Sequence, residues 1–215
     1  MMKWRNLQLK VVSQSVEVLQ SLNGLEILKH IEKCGRVSYK SERNIKEGSA
    51  EKFVGALIKR GHESVLEHYD ITVKFITDRG ITHELVRHRL ASFTQESTRY
   101  VAYNLDKFGG EIQVIKPSEI DTEEKEYAWR ISMNNAEKAY FDLLDMGCKP
   151  ETARSVLPTC TKTELVMTAN LREWRHLLKL RTAPDAHPDI RILCIDLLNQ
   201  LKEKIPVVFD DIEVK

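Results

Sequence analysis

Several patterns that identify common classes of protein are missing from this sequence. Its four cysteines form no CxxC pair, which argues against a zinc site built on thiolates. No apolar run reaches the roughly 18 residues of a membrane span, and the N-terminal residues contain no apolar stretch of signal-peptide length. No Gly-x-Gly-x-x-Gly segment joins a strand to a helix, so a dinucleotide would not be held in a Rossmann cleft.

These absences lead to expectations about location and partners. Without a membrane span or a signal peptide, we expect a cytoplasmic protein with no membrane partner and with reduced, buried cysteines. Lys and Arg total 33 against 32 Asp and Glu, so the chain lacks the overall basic footprint of a nucleic-acid-binding protein. We therefore expect no nucleic-acid partner, and any anion site must come from a local cluster. With 215 residues and 42% apolar content, we expect a single packed domain over residues 1–215.

Hydrophobic periodicity predicts a chain of mixed helices and strands. A strand-like stretch covers residues 7–19, and further strands are predicted at 69–76, 112–116 and 162–170. Helices are predicted at 24–38, 47–60, 81–90, 121–146, 172–182 and 189–204, with one or two helical turns at 150–156. We expect Gly80 to end a strand, and loops at 62–68 and 91–99. The predicted fold class is α/β of the α+β type, a mixed central sheet flanked by helices with no Rossmann unit.

Arginine is concentrated in two segments, residues 79–99 and 154–181. The planar guanidinium matches phosphate and imide-like oxygens bidentately, although solvated helix faces are the alternative explanation. On a helix over 81–90, Glu84, Arg87 and His88 would share one face. Residues 91–99 then add Ser, Thr and Gln side chains. This density of cations and hydrogen-bonding groups favours an anionic ligand such as a nucleotide.

The segment from Arg87 to Tyr100 reads Arg-His-Arg, two residues, Ser, four residues, Ser, one residue and Arg-Tyr. This spacing resembles the signature of flavin-dependent thymidylate synthases. Three other segments also resemble segments of that family and follow the family's order along the chain. They are Gly61-His62-Glu63-Ser64 with Glu67-His68, Ala153–Pro158, and Asn170-Leu171-Arg172 with His176 and Leu180-Arg181. The resemblance covers roughly residues 10–205.

The resemblance implies an enzyme, a methyltransferase that converts dUMP to dTMP. In that family NADPH reduces a bound FAD, methylenetetrahydrofolate supplies the carbon, and the reduced flavin supplies a hydride. No cysteine nucleophile takes part. The resemblance also implies a homotetramer whose active sites are shared between subunits.

The resemblance also implies roles for individual residues. The catalytic residue would be Arg181, facing the uracil ring. The residues expected to bind dUMP are Glu84, Arg87, Gln95, Glu96, Ser97, Thr98, Arg99, Arg154 and Arg181. The residues expected to bind FAD are His62, Ser64, Arg87, His88, Arg89, Gln95, Asn170, Arg172 and His176. The family usually has Gln at position 84 and often has Asn-Glu at 94–95. Glutamate only accepts hydrogen bonds, so Glu84 would alternatively pair with an arginine.

Other readings of the same residues are less well supported. His62 and His68 stand six apart without a helical pattern, so no metal is expected from them and the neighbouring glutamates. Neither Cys148 nor Cys160 falls on a matched position, which argues against a cysteine nucleophile. A non-catalytic nucleotide- or RNA-binding module would explain the arginines but not the C-terminal matches. A flavin oxidoreductase acting on another substrate is the second alternative.

Overall fold

A computed structural model describes residues 9–99, 103 and 111–214. Its strands are β1 (Lys10–Val12), β2 (Ser15–Val18), β3 (Asp70–Asp78), β4 (Ala91–Gln95), β5 (Gln113–Ile115) and β6 (Lys162–Asn170). Its helices are α1 (Gly24–Arg36), α2 (Ser49–Lys59), α3 (Arg79–Leu85), α4 (Glu123–Asp145), α5 (Pro150–Ala153), α6 (Leu171–Arg181), α7 (Pro188–Lys204) and α8 (Pro206–Phe209). Short 3-10 segments cover Val37–Tyr39, Glu42–Asn44, Glu63–His68 and Arg154–Val156.

The strands form two sheets. β1 pairs in parallel with β5, with Lys10 opposite Gln113. The larger sheet has the order β2-β3-β6-β4. Helices lie between the strands in chain order. The α/β fold class predicted from the sequence is confirmed.

The chain divides into two compact units. The first draws on Met1–Ser15, Phe75–Leu85 and Thr94–Leu165, and the second on Val16–Lys74, Val86–Phe93 and Val166–Lys215. β3, β4 and β6 each contribute residues to both units. The single domain expected over residues 1–215 stays a prediction.

The core of the first unit lies around α4. Its buried members are Leu9, Tyr103, Ile112, Val114, Met133, Tyr140, Phe141, Ala153 and Cys160, and Trp129 packs against them. Thr122 caps the start of α4 by accepting from the Lys125 amide at 3.3 Å. Gly147 follows the helix with φ +87°, a backbone conformation that favours glycine. The predicted boundaries of this helix were therefore correct to within two residues.

The core of the second unit lies around α6 and α7. Alternate residues of β3, including Ile71 and Val73, are fully buried, and so is the apolar face of α6. Trp174 is fully buried and its indole nitrogen donates to the Ile71 carbonyl at 3.0 Å, as expected for a core tryptophan rather than a cofactor stacker. These contacts fix how α6 is turned about its axis.

The strand β6 runs directly into α6. Asn170 is the last residue of the strand and the N-cap of the helix, and its side chain accepts from the Glu173 amide at 2.9 Å. The sequence predicted this strand at residues 162–170, where the structure has it.

The predictions were wrong between residues 78 and 95. The Asp78 carboxylate accepts from the Ile81 amide at 2.8 Å, so α3 starts at Arg79 and includes Gly80, which does not end the strand. The helix ends at Leu85, five residues earlier than predicted. Residues 91–95 form β4 instead of a loop, because they hydrogen-bond to β6 as an edge strand of the larger sheet. The sequence also missed α8, and Glu63–His68 is helical rather than a loop.

Among the described helices, none has the length and apolar composition needed to cross a membrane.

Candidate functional site

In the second unit, α6 presents a polar face that its buried side holds in place. Leu171, Trp174, Leu177 and Leu178 are fully buried. Arg172 and His176, which lie one turn apart, are exposed. Both are predicted flavin ligands, and the packing of the opposite side fixes the direction in which they point.

An open cleft of about 560 Å³ lies beside this polar face. It is lined by Glu63, Glu67, Leu90, Asn170, Arg172, Glu173, His176 and Lys179. Its volume falls within the range of about 300–1,000 Å³ usual for ligand pockets. An Arg172 guanidinium nitrogen donates to Glu67 at 2.5 Å, and the Lys179 ammonium lies 3.8 Å from Glu63. The cleft therefore combines the N-terminal end of a helix with cations whose partners are carboxylates.

The predicted ligands His62 and Ser64 flank Glu63 in the chain, and both are exposed. Arg87 and Arg89 are exposed in the segment between α3 and β4. Because that helix ends at Leu85, the prediction that Glu84, Arg87 and His88 share one helix face is wrong. His88 instead points into the interior of the second unit and is 6% exposed.

His88 lies between a carboxylate and a guanidinium. Its Nδ1 is 3.3 Å from a Glu173 carboxylate oxygen, and its Nε2 accepts from the Arg181 Nε–H at 3.2 Å. Arginine has no acceptor, so Nε2 must be unprotonated and the proton must sit on Nδ1, which donates to Glu173. Burial and then the Arg181 charge lower the pKa of His88, although Glu173 opposes the change. The imidazole is accordingly neutral with a defined tautomer.

Three side chains of the second unit also have the spacing of a metal site. His88, Glu173 and His176 each offer a ligand atom within 4.8 Å of the others. A metal on Nδ1 of His88 would require the proton on Nε2, where it would face the Arg181 donor. The hydrogen bonds described here therefore compete with a cation at this place. The absence of a metal, expected from the sequence, stays a prediction.

Arg175 and Glu173 are site residues that the sequence analysis missed. Arg175 is 1% exposed and pairs with Glu63 at 3.0 Å and with Asp211 at 2.6 Å. It also donates to the Val208 carbonyl. These bonds tie the C-terminal segment to the segment that carries His62 and Ser64. An arginine on the apolar side of a helical pattern was the signal that would have revealed it.

In the first unit, Gln95 is fixed from two sides. Its amide nitrogen donates to the Thr82 hydroxyl at 2.9 Å and to the Thr163 hydroxyl at 3.4 Å. Arg79 donates to the same Thr163 hydroxyl and to the Glu96 carbonyl, both at 3.4 Å. With both amide protons engaged, Gln95 has its carbonyl oxygen left for a ligand.

Three further predicted dUMP ligands of this unit follow β4, and Arg154 contacts one of them. Arg154 donates to the Thr98 hydroxyl at 3.4 Å, and Arg99 pairs with Glu151 at 3.1 Å. The Ser97 hydroxyl accepts from the Arg99 amide at 3.2 Å. Both arginines are exposed, so two predicted segments supply cations to the same surface.

Two other predicted residues of the first unit are half-buried. Glu84 lies on α3, and Glu96 pairs with Lys162 at 3.3 Å. Tyr100, the last residue of the signature, lies outside the described residues.

The four cysteines are free thiols. Cys160 and Cys194 are buried, as expected, but Cys34 and Cys148 are only half-buried. Burial raises the pKa of Cys160 to about 11, and its sulfur lies 3.1 Å from the Met133 sulfur. A thiol of this kind is protonated near neutral pH and makes a poor nucleophile.

Comparison with known proteins identifies the family. The profile described as "Thymidylate synthase complementing protein" matches residues 22–207. A flavin-dependent thymidylate synthase of Geobacter sulfurreducens is 37% identical over 161 residues, which cover 74% of this chain and 68% of the relative. The corresponding protein of Pyrococcus furiosus is 34% identical over 172 residues, which cover 79% and 70%.

A solved structure agrees with this result. The UMP/dUMP methylase PolB from Streptomyces cacaoi, bound with 5-Br dUMP, superposes with a TM-score of 0.78 at 28% identity. The superposition covers 94% of this chain and 96% of PolB. From the extent of the profile match and the identity to these relatives, this chain belongs to the flavin-dependent thymidylate synthase family.

Proposed function

We propose that this enzyme, a flavin-dependent methyltransferase, converts dUMP to dTMP with 5,10-methylenetetrahydrofolate as carbon donor and NADPH as the source of reducing equivalents. One observation supports this most strongly. The Arg181 Nε–H donates to His88 Nε2 although the two residues are 93 positions apart in the chain. His88 belongs to the Arg-His-Arg signature and Arg181 to the C-terminal matching segment, so two separate matched segments contribute to one contact.

The flavin is FAD in this proposal, and the cleft beside α6 suits it. Arg172 and His176 can donate to a pyrophosphate, and the positive end of the helix dipole favours an anion at this N-terminus. Glu63 and Glu67 satisfy the cations of the cleft in the structure described here. A phosphate would take over those cations by displacing the carboxylates. The other proposed FAD ligands are His62, Ser64, Arg87, His88, Arg89, Gln95 and Asn170. FAD, once reduced, supplies the hydride.

Most of the residues proposed to hold dUMP belong to the first unit, whereas Arg87 and Arg181 belong to the second. Arg99 and Arg154 are exposed cations whose planar forks suit its phosphate. Thr98, Ser97 and Gln95 add hydroxyl and amide groups, and Glu84, Glu96 and Arg87 complete the set. Arg181 faces the imide edge of the uracil. A fixed guanidinium there stabilises the negative charge of the ionised ring, which makes C5 nucleophilic.

The buried thiol of Cys160 supports a mechanism without a cysteine nucleophile. A thiolate attack on uracil needs a thiol that ionises near neutral pH, and burial moves the pKa of Cys160 in the opposite direction. A homotetramer with shared sites and a cytoplasmic location remain part of the proposal, as does the absence of a nucleic-acid partner.

The test is made on one purified preparation. We expect flavin absorption bands, NADPH oxidation that depends on dUMP, and deuterium from reduced flavin in the methyl group of dTMP. A colourless protein that binds dUMP would indicate a non-catalytic module. A yellow protein whose NADPH oxidation ignores dUMP would indicate an oxidoreductase of another substrate. Either result would refute the proposed reaction.

A further inference from the structure

Glu173 has no role assigned by the family resemblance, yet it stands at the end of a short hydrogen-bonded chain. The chain runs from the Glu173 carboxylate to His88 and from His88 to Arg181, with contacts of 3.3 and 3.2 Å. Glu173 is 7% exposed and His88 is 6% exposed. Burying a carboxylate costs free energy that hydrogen bonds must offset, and the His88 Nδ1–H supplies one such bond to Glu173.

We propose that Glu173 is a positioning residue for Arg181. It holds the proton of His88 on Nδ1, which leaves Nε2 as an acceptor for the Arg181 Nε–H. The proposal rests on the proposed function, in which Arg181 acts on the uracil ring. Glu173 itself need not touch the substrate.

These hydrogen bonds between Glu173, His88 and Arg181 matter because a guanidinium contributes to catalysis only when its plane has a defined orientation. A hydrogen bond at Nε fixes one edge of the planar group, and the remaining nitrogens then point in set directions. The other tautomer of His88 would present an N–H to the Arg181 N–H and push the guanidinium away. Control of the tautomer by a carboxylate on the far ring nitrogen is a common way to orient a functional histidine.

The backbone of α6 makes this arrangement rigid. Glu173 lies in the first turn, where its amide donates to the Asn170 cap at 2.9 Å. Arg181 is the last residue of the same helix, and its neighbours Leu177 and Leu178 are fully buried. The two hydrogen bonds of His88 therefore join Glu173 and Arg181, which belong to the same rigid helix. The His176 ring stands edge-on to His88 at 5.9 Å between centroids, which limits rotation of the imidazole.

Two variants of similar size isolate the acceptor from the charge. Glu173→Gln and Glu173→Met both remove the negative charge from the first turn. Gln keeps an oxygen that can accept from His88 Nδ1, whereas Met has none of comparable strength. Comparing Gln with Met therefore cancels the loss of charge and of the helix-dipole interaction.

The first measurement does not depend on the reaction. The full chain, as purified and without added substrate, is labelled with 15N-histidine and studied by solid-state NMR, with a His88→Asn variant to assign the signals. We expect the Nδ1-protonated tautomer of His88 in the original protein and in Glu173→Gln. In Glu173→Met we expect the Nε2-protonated form to appear. An unchanged tautomer in Glu173→Met would overturn the proposal whatever the enzyme proves to catalyse.

The second measurement concerns turnover. We expect Glu173→Met to form dTMP about 10- to 100-fold more slowly than Glu173→Gln, with the loss in kcat and equal flavin content. Equal turnover in the two variants would also overturn the proposal. A parallel loss of flavin in both would make Glu173 a direct flavin ligand, which contradicts a positioning role. If the original protein forms no dTMP at all, the proposed function fails while the NMR result stands.

Discussion

The two units hold their arginines in different ways. In the second unit, Arg175 is buried between two carboxylates, and Arg181 donates to a buried histidine. In the first unit, Arg99 and Arg154 are exposed and contact Glu151 and Thr98. Breaking a buried pair costs several kcal/mol, whereas an exposed pair contributes about 0–1 kcal/mol. The two arginines Arg175 and Arg181 of the second unit are thus preorganised. Arg99 and Arg154 of the first unit, like the exposed Arg172 of the second, are cations that a ligand phosphate can recruit at little cost.

Removing a preorganised cation should have the largest effect. We expect Arg181→Ala to lower the rate of dTMP formation by about 100- to 1000-fold, because one fixed donor to the developing charge is lost. Arg181→Lys should be nearly as poor, because a point charge lacks the planar fork. Flavin content and flavin reduction by NADPH should remain, and they are measured on the same preparation. Lys59→Ala, an exposed residue of α2, serves as the control. Normal dTMP formation by Arg181→Ala would remove this residue from the mechanism.

Replacing Arg175 tests whether a buried, preorganised arginine contributes more to the free energy of unfolding than an exposed cation does. We expect Arg175→Met to lower the free energy of unfolding by about 1.5–3 kcal/mol, because Glu63, Asp211 and the Val208 carbonyl lose a charged donor while the two carboxylates remain partly solvated. Lys179→Met, which removes a half-exposed cation 3.8 Å from the same Glu63, should cost less than about 1 kcal/mol. Urea unfolding of both variants measures the difference. Equal costs would mean that the buried network does not hold the second unit together.

Two exposed arginines test which residue binds which ligand. Arg154→Ala should raise the KM for dUMP about 10- to 100-fold with normal flavin content, since a charged hydrogen bond contributes about 1.5–3 kcal/mol. Arg172→Ala should weaken FAD binding by a similar factor and leave dUMP binding in place. Flavin titration and dUMP kinetics on both variants check this. If both changes act on the same ligand, the assignment of Arg154 to dUMP and of Arg172 to FAD is wrong.

The pH dependence of stability should differ in sign between the units. Burial raises the pKa of Glu137 in the first unit, so its contribution to stability is largest below the unfolded pKa of about 4.3 and declines as pH rises toward the folded value. The hydrogen bond from Arg175 lowers the pKa of Asp211 in the second unit, so that contribution is present above the unfolded pKa and lost as pH falls.

Glu137→Gln isolates the first of these terms. The Glu137 oxygen that accepts from the Ile112 amide at 2.8 Å can be replaced by the amide oxygen of Gln. We expect the variant to melt a few °C higher at neutral pH, since each kcal/mol shifts Tm by about 2–4 °C in a chain of this size. The gain should vanish below about pH 4. A gain that is constant with pH would show that ionisation of Glu137 is not its cause.

Cysteine replacement should have the smallest effect on chemistry. We expect a variant with Ser or Ala at Cys34, Cys148, Cys160 and Cys194 to keep dTMP formation. Its stability should fall, because the buried sites leave small cavities. Rates are measured on preparations shown to be folded and yellow. Complete loss of turnover in such a preparation would contradict a mechanism without a cysteine nucleophile.

The sequence predicted long, regular elements well and short ones poorly. β6 and α6 were found to within one residue, because β6 alternates over nine positions and α6 has eleven residues with an apolar face. α3 has only seven residues, and its start depends on a side chain, Asp78, that caps from within the preceding strand. β4 is rich in Ser, Thr and Gln, whose polarity resembles that of a loop. Its strand structure comes from pairing with residues distant in sequence, which local periodicity cannot reveal.

The candidate site was predicted through motifs rather than geometry. The signature identified His88 and the C-terminal matching segment identified Arg181, but nothing in their spacing indicated that they would share a hydrogen bond. Glu173 and Arg175 were missed because their importance comes from long-range partners, His88 for one and Glu63 and Asp211 for the other. Apart from the position of Arg175 on the apolar side of its helix, no local pattern in the sequence shows these buried charges, because their partners are distant in the chain.

The direct passage from β6 into α6 makes this region intolerant of changes in length. A residue added after Asn170 would turn every later position of the helix by about 100° and shift it by about 1.5 Å, because no loop is present to absorb the change. Arg172, His176 and Arg181 would then leave their present directions together, and Leu171 and Trp174 would leave the core. We therefore expect relatives of this protein to carry no insertion or deletion at the junction between β6 and α6.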